Sequence, residues 1–221
     1  MRQTNASKET MTSAPSHSPH VVGKNPELFN QILNPGVNLC LWQRPIESAV
    51  SQEIESIQIG ELPDVRCITT FDSFDADVCT LLQQQGLVLS AFERWRHDMQ
   101  HLASLYFKIC GNRDVTMRLL ATETDDCRRF HFDRTHLRML CTYQGPGTEW
   151  LHDDQVDREA QSNGAPNEEI IRYGEPAVFE PFWVGILKGD VYPGNAGHGL
   201  VHRSPPIAYS GKTRVLFCLD S

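Results

Sequence analysis

No stretch of this 221-residue chain approaches the ~18–20 apolar residues that a membrane span needs. No basic segment followed by an apolar one opens it, so no secretory signal is expected. The motif C-x-x-C does not occur. The seven cysteines (Cys40, Cys67, Cys79, Cys110, Cys127, Cys141 and Cys218) are odd in number and scattered, several inside apolar runs. Reduced, mostly buried thiols in a cytoplasmic protein are the expectation. Basic residues are also scarce. Lys and Arg number 20 against 28 Asp and Glu, a net charge of -8, which argues against a nucleic-acid or anionic-membrane partner. The rest is ordinary for a globular protein. Hydrophobic residues make up 40% and charged residues 22%, enough for one domain with a sizeable core and appendages. The oligomeric state is left open.

Apolar residues are nearly missing from 1–24, a run of Ser, Thr, Asn, Pro and His that cannot offset its ordering entropy by burial. It is read as a disordered tail, with His17 and His20 as part of it. Residues 25–113 read as a mostly helical support region. A short helix over 27–33 ends at Asn34-Pro35-Gly36, a strand follows over 37–42, and Pro45 opens a helix over 46–57. A strand over 65–71 and helices over 74–84 and 87–110 come next. The last helix carries an apolar stripe of Phe92, Trp95, Met99, Leu102, Leu105 and Tyr106 and stops at Gly111-Asn112. Its His97 and His101 have the i, i+4 spacing of a zinc protease. Asp98 replaces the glutamate such an enzyme needs, and Arg94 and Arg96 suggest a solvated face.

After Gly111 the pattern turns to short strands, over 115–122, 130–133, 137–143, 148–151, 178–187, 199–202 and 213–219. An acidic, turn-rich insertion over 152–176 interrupts them and is expected to be a mobile lid. Helices first and strands second predict an α+β fold, with a helical N-terminal layer packed on a β-sandwich or barrel that spans 114–221. Trp150, Phe179, Phe182 and Trp183 are read as core.

The stretch Arg128-Arg129-Phe130-His131-Phe132-Asp133 puts an imidazole and a carboxylate two residues apart. On a strand these share a face and can grip one ion. His202, in Gly199-Leu200-Val201-His202-Arg203-Ser204-Pro205-Pro206, is the candidate third ligand. Two His and one carboxylate leave three positions of an octahedral ion open, the arrangement of non-haem Fe(II) oxygenases. A second His-x-Asp, His152-Asp153-Asp154, is the alternative pair.

Further pieces stand in order around this triad. They are Leu137 to Tyr143 followed by Gln144-Gly145-Pro146-Gly147-Thr148, then Leu187-Lys188-Gly189-Asp190, then Gly211-Lys212-Thr213-Arg214. With them, residues 114–220 resemble the Fe(II)/2-oxoglutarate-dependent oxygenase superfamily, whose core is a double-stranded β-helix of jelly-roll or cupin type. The chain from about Pro35 on also looks like a member of the uncharacterised bacterial family of domain of unknown function 1826. Phe130 to Asp133, Gly145 to Leu151 and His202 to Pro206 carry that likeness. The short strands, the insertion and Arg203 directly after the distal histidine depart from well-known oxygenases.

The first resemblance implies Fe(II) on His131, Asp133 and His202, with 2-oxoglutarate held by Arg214 in a bidentate pair and by Thr142. Tyr143 and Arg138 are assigned catalytic parts, Tyr143 as a hydrogen-bond donor. Arg138, with Arg128 and Arg129, is read either as recognising an anionic substrate or as balancing the acidic insertion. Cys127 and Cys141 would favour zinc if their thiolates lay near the site, but they are read first as buried core cysteines. Three readings follow: an oxygenase on a small molecule or protein side chain, a Zn-binding protein of the same fold without redox chemistry, or a scaffold with a decayed site. A zinc hydrolase on His97 and His101 is the fourth and least favoured.

Overall fold

The computed structural model describes residues 19–57 and 62–221. The expected tail thus falls largely outside the described residues, His17 included. At its end the expectation is corrected. His20–Gly23 forms a strand, β1, paired in parallel with β2, Leu39–Trp42. Val21 and Val22 supply the β-branched residues that a strand favours.

Between them Pro26–Leu33 forms a 3-10 helix rather than an α-helix. Asn25 caps it through the Glu27 amide, and Pro26 occupies its first turn. The remaining elements before Gly111 are α1, Ser48–Glu55; β3, Val65–Thr69; α2, Phe74–Gln84; and α3, Glu93–Cys110. The helix expected over 87–110 begins late, because a 3-10 turn at Leu89–Ala91 breaks it. The Glu53 side chain of α1 accepts from the amides of Arg94 and Trp95, which caps α3 from a neighbouring helix. Gly111, at φ 79, ends it.

The second half contributes β4, Val115–Thr122; β5, Leu137–Gln144; β6, Glu149–Trp150; α4, Arg158–Asn163; and α5, Asn167–Ile170. It closes with β7, Ala177–Val178; β8, Val184–Lys188; β9, His202–Arg203; and β10, Arg214–Asp220. The strand expected over 178–187 is split into two. Phe182 turns the chain between them at φ 68, held by its amide on the Thr142 carbonyl and its carbonyl on Arg44.

Seven strands form one sheet in the order β1-β2-β8-β5-β10-β4-β3, antiparallel except for β1 with β2. A three-stranded sheet runs β7-β6-β9. Side-chain alternation sorts the large sheet into two faces. Met139, Cys141, Tyr143, Val215, Phe217 and Leu219 join one apolar core with Trp95, Met99, Leu102 and Tyr106 of α3. Leu140, Leu216, Cys218, Leu120, Leu39, Leu41 and Leu187 face the other way, toward Trp150, Phe179 and Leu200. The chain is therefore a mixed α/β protein with a large sheet. The insertion is not an irregular loop. Its Val156 and Ile170 pack with Phe130, Leu151 and Val201 in a third, small core. Asp157 caps α4 through the Ala160 amide, and Gly164 ends it at φ 85.

Candidate metal centre

The stretch around His131 forms no regular strand. His131 and His202 make a single antiparallel bridge, exchanging both backbone hydrogen bonds at 3.0 and 2.8 Å. That exchange sets the two side chains opposite each other. Asp133 follows on an irregular segment pinned by the Asp190 amide on its carbonyl, 2.8 Å. Gly189 permits this approach, because a Cβ there would lie 2.1 Å from the Thr135 carbonyl oxygen.

The three side chains converge. His202 Nε2 lies 3.4 Å from Asp133 Oδ2, and His131 Nε2 lies 3.8 Å from Oδ1. One candidate ligand atom from each residue falls within 4.8 Å of the others, and this is the group of metal-ligand type found among the described residues. The two imidazole rings are 4.7 Å apart.

The donor chemistry fits a cation. His131 Nδ1 lies 2.8 Å from the Arg129 carbonyl and His202 Nδ1 lies 3.0 Å from the Leu200 carbonyl. A carbonyl can only accept, so each Nδ1 carries a hydrogen, and in the neutral imidazole Nε2 then presents the lone pair. Asp133 Oδ2 is buried with no hydrogen-bond partner. Burial pushes the His202 pKa down to about 4, against the pull of Asp133, so a proton does not fill this gap at neutral pH. Burial works to raise the Asp133 carboxyl, but its neighbours, the imidazoles of His202 and His131 where protonated and the permanently charged Arg138 that hydrogen-bonds it, outweigh burial and hold it below the usual range. Three electron-pair donors thus face one another without a donor hydrogen, as in a site built for a metal ion.

One narrow cavity joins His131 and His202 of this triad to Arg214, Arg138, Arg118 and Arg203, with Thr148, Ser204, Cys127 and Cys218. Arg214 is 2% exposed. Its guanidinium donates to Thr148 Oγ1 at 2.7 Å, Thr142 Oγ1 at 3.3 Å and Ser204 Oγ at 3.4 Å, while its Nε lacks a partner. No carboxylate pairs with it among the described residues. Burial pushes its pKa down to about 10, which still leaves it charged at neutral pH. The other arginines differ. Arg118 meets Asp64 and Asp126, and Arg203 meets Glu149 at 2.6 Å while stacking over Phe130.

Arg138 and Thr142 lie on the cavity face of β5, as i and i+4 of a strand must. Tyr143 does not, and its catalytic assignment is corrected. One residue on, it faces α3, where its hydroxyl donates to Asp98 at 2.6 Å and its ring packs on Trp95 and Phe182. Cys141 shares that face and lies away from the site. Arg138 is not free for a substrate either, because it binds Asp133 and Asp220. His152 and Asp154 are exposed and do not join the triad. His152 packs on Trp150 and His20. His97 and His101 are exposed on α3 beside a groove lined by Phe71 and Phe107. Thr148, Ser204 and Asp220 were not singled out as site residues by the sequence. Asp220 had a readable signal, standing in the i, i+2 series from Arg214 through Leu216 and Cys218.

Among solved structures, the chain is similar to dioxygenase for auxin oxidation 1 from Arabidopsis thaliana, solved in a binary complex with 2-oxoglutarate. Identity is 11%, coverage is 92% of each chain and the TM-score is 0.53, a likeness of fold. A Pseudomonas putida prolyl-4-hydroxylase aligns over 88% of this chain and 97% of its own at 10% identity, with a TM-score of 0.40, too low to carry weight. No curated protein matches the sequence. Residues 23–220 match one family throughout, and the chain belongs to it: the family described as protein of unknown function (DUF1826).

Proposed function

We propose that this protein is a non-haem Fe(II)- and 2-oxoglutarate-dependent oxygenase built on a double-stranded β-helix. The observation that carries the reading is one cavity lined both by the two histidines of a His-Asp-His triad and by a buried arginine that has no ion-pair partner among the described residues. His131, Asp133 and His202 would hold the metal. Arg214 would take the distal carboxylate of 2-oxoglutarate, whose two oxygens match the guanidinium fork, with Thr148, Thr142 and Ser204 as further hydrogen-bonding groups. Bound together, Fe(II) and 2-oxoglutarate would activate dioxygen, one oxygen atom oxidising a substrate C–H bond and the other ending in succinate as 2-oxoglutarate loses CO2. The chain's own part is to orient both groups and to keep water from Arg214. Likeness of fold supports this reading without choosing a substrate.

Calorimetry under nitrogen tests it. Protein loaded with Fe(II) should bind one equivalent of 2-oxoglutarate, and Arg214→Lys should weaken that binding by about 10- to 100-fold, the loss of a bidentate charged pair. Tight Zn(II) binding with no uptake of 2-oxoglutarate would favour metal binding without redox chemistry.

A further inference from the structure

Arg138 lines the cavity beside both histidines, and its guanidinium is held by two carboxylates of the chain itself. Its Nη1 donates to Asp133 Oδ1 at 2.6 Å. Its Nε and Nη2 donate to the two oxygens of Asp220 at 2.5 and 3.0 Å. Arg138 and Asp220 stand directly opposite across β5 and β10, so the sheet sets fork against carboxylate. The end of β10 is itself fastened. Ser221 donates from its amide to the Leu137 carbonyl, and its own carbonyl accepts from the His136 amide. The Tyr106 hydroxyl of α3 reaches both the Leu137 carbonyl and the Ser221 hydroxyl.

The result for Asp133 is an asymmetric carboxylate. Oδ1 is engaged by a guanidinium that a second carboxylate holds still. Oδ2 is buried, unpartnered and turned toward His202. We propose that the Asp220–Arg138 pair is a clamp that presents only Oδ2 of Asp133 to the metal, enforcing one-oxygen ligation. A carboxylate free to rotate can chelate an ion through both oxygens and fill a position that incoming ligands need. A carboxylate with Oδ1 tied to a braced arginine cannot. Arg138 and Asp220 are positioning residues for the ligand set, and Arg138 is not a reader of substrate charge. The inference rests on the proposed role of the triad.

The test is titration of metal-free protein with Co(II) under nitrogen, followed by calorimetry and by the visible d–d spectrum, with apo-protein melting measured in parallel. Wild type should bind one equivalent, and His202→Ala should lose it. Asp220→Asn leaves Arg138 charged but unbraced. It should bind Co(II) about 10- to 100-fold more weakly, as loss of an outer hydrogen-bonding partner typically does, with a shifted spectrum. Arg138→Lys keeps the charge but cannot bridge two carboxylates in a fixed fork, and should shift the spectrum in the same way. It also decides the matter if Asp220→Asn fails to fold. Both variants binding like wild type with an unchanged spectrum would overturn the clamp while leaving the metal site intact. A melting change without a spectral change would likewise reduce the pair to a structural role. Wild type that binds no Co(II) would remove both the site and the clamp.

Discussion

Arg214 sits among two threonine hydroxyls and a serine, with no carboxylate at ion-pair distance among the described residues. A buried charge without a partner costs several kcal/mol, and an apolar side chain of similar volume often stabilises the fold by about 1–4 kcal/mol. Arg214→Met should therefore leave the ligand-free protein as stable as wild type or more so in urea, while abolishing 2-oxoglutarate binding. Marked destabilisation would mean that Arg214 is structural. His202 gives a pH prediction. Its pKa is about 4 in the folded protein and its ordinary value is 6.5, so the unfolded chain takes up the proton first as pH falls. Stability is complete above about pH 6.5 and is lost progressively down to about pH 4, by on the order of 3 kcal/mol for this one group. Burial lowers His20 into the same window, so both histidines contribute with the same sign. His202→Gln should flatten the slope of unfolding free energy between pH 6.5 and 4 without removing it.

At the scale of elements, α3 shows what periodicity can and cannot reveal. Trp95, Met99, Leu102 and Tyr106 mark its buried stripe in the sequence and are buried in the fold. Asp98 stands on the same face, three residues after Trp95 and four before Leu102, but as a carboxylate in an apolar stripe. It turns inward to accept two hydrogen bonds from Arg44, at 2.6 and 2.7 Å, and one from Tyr143. The partner lies 54 residues away, and no local pattern points to it. Asp98→Ala would leave Arg44 buried and unpaired, and should cost about 3–5 kcal/mol by urea denaturation. The ligand segment shows the opposite case. His131-x-Asp133 is legible as chemistry, although the strand expected to carry it shrinks to one bridge, because the partner strand β9 is only two residues long. Alternation also explains the misassignment in β5. Thr142 and Tyr143 are neighbours in sequence and must face opposite sides of the sheet, and the sequence does not say which side holds the site. Gly189→Ala tests the loop that sets Asp133. A methyl group in contact with the Thr135 carbonyl would displace the segment, and metal affinity should fall at least 10-fold while the helices remain folded by circular dichroism.

At the scale of the molecule, residues of both sheets line the site, while buried residues of α1, α2 and α3 share a core with the opposite face of the larger sheet. The order of pieces from His131 to Arg214 spans most of the second half of the chain, and the fold brings both ends of that order into one cavity. No helix among the described residues is long and apolar enough to cross a membrane. The central claim is that metal and 2-oxoglutarate bind together in this cavity. The most direct measurement is anaerobic addition of Fe(II) and then 2-oxoglutarate to the metal-free protein, followed by visible absorption. A weak charge-transfer band that needs both additions, vanishes in His202→Ala and requires more 2-oxoglutarate in Arg214→Lys is the predicted result. Fe(II) bound with no band at any 2-oxoglutarate concentration would contradict it.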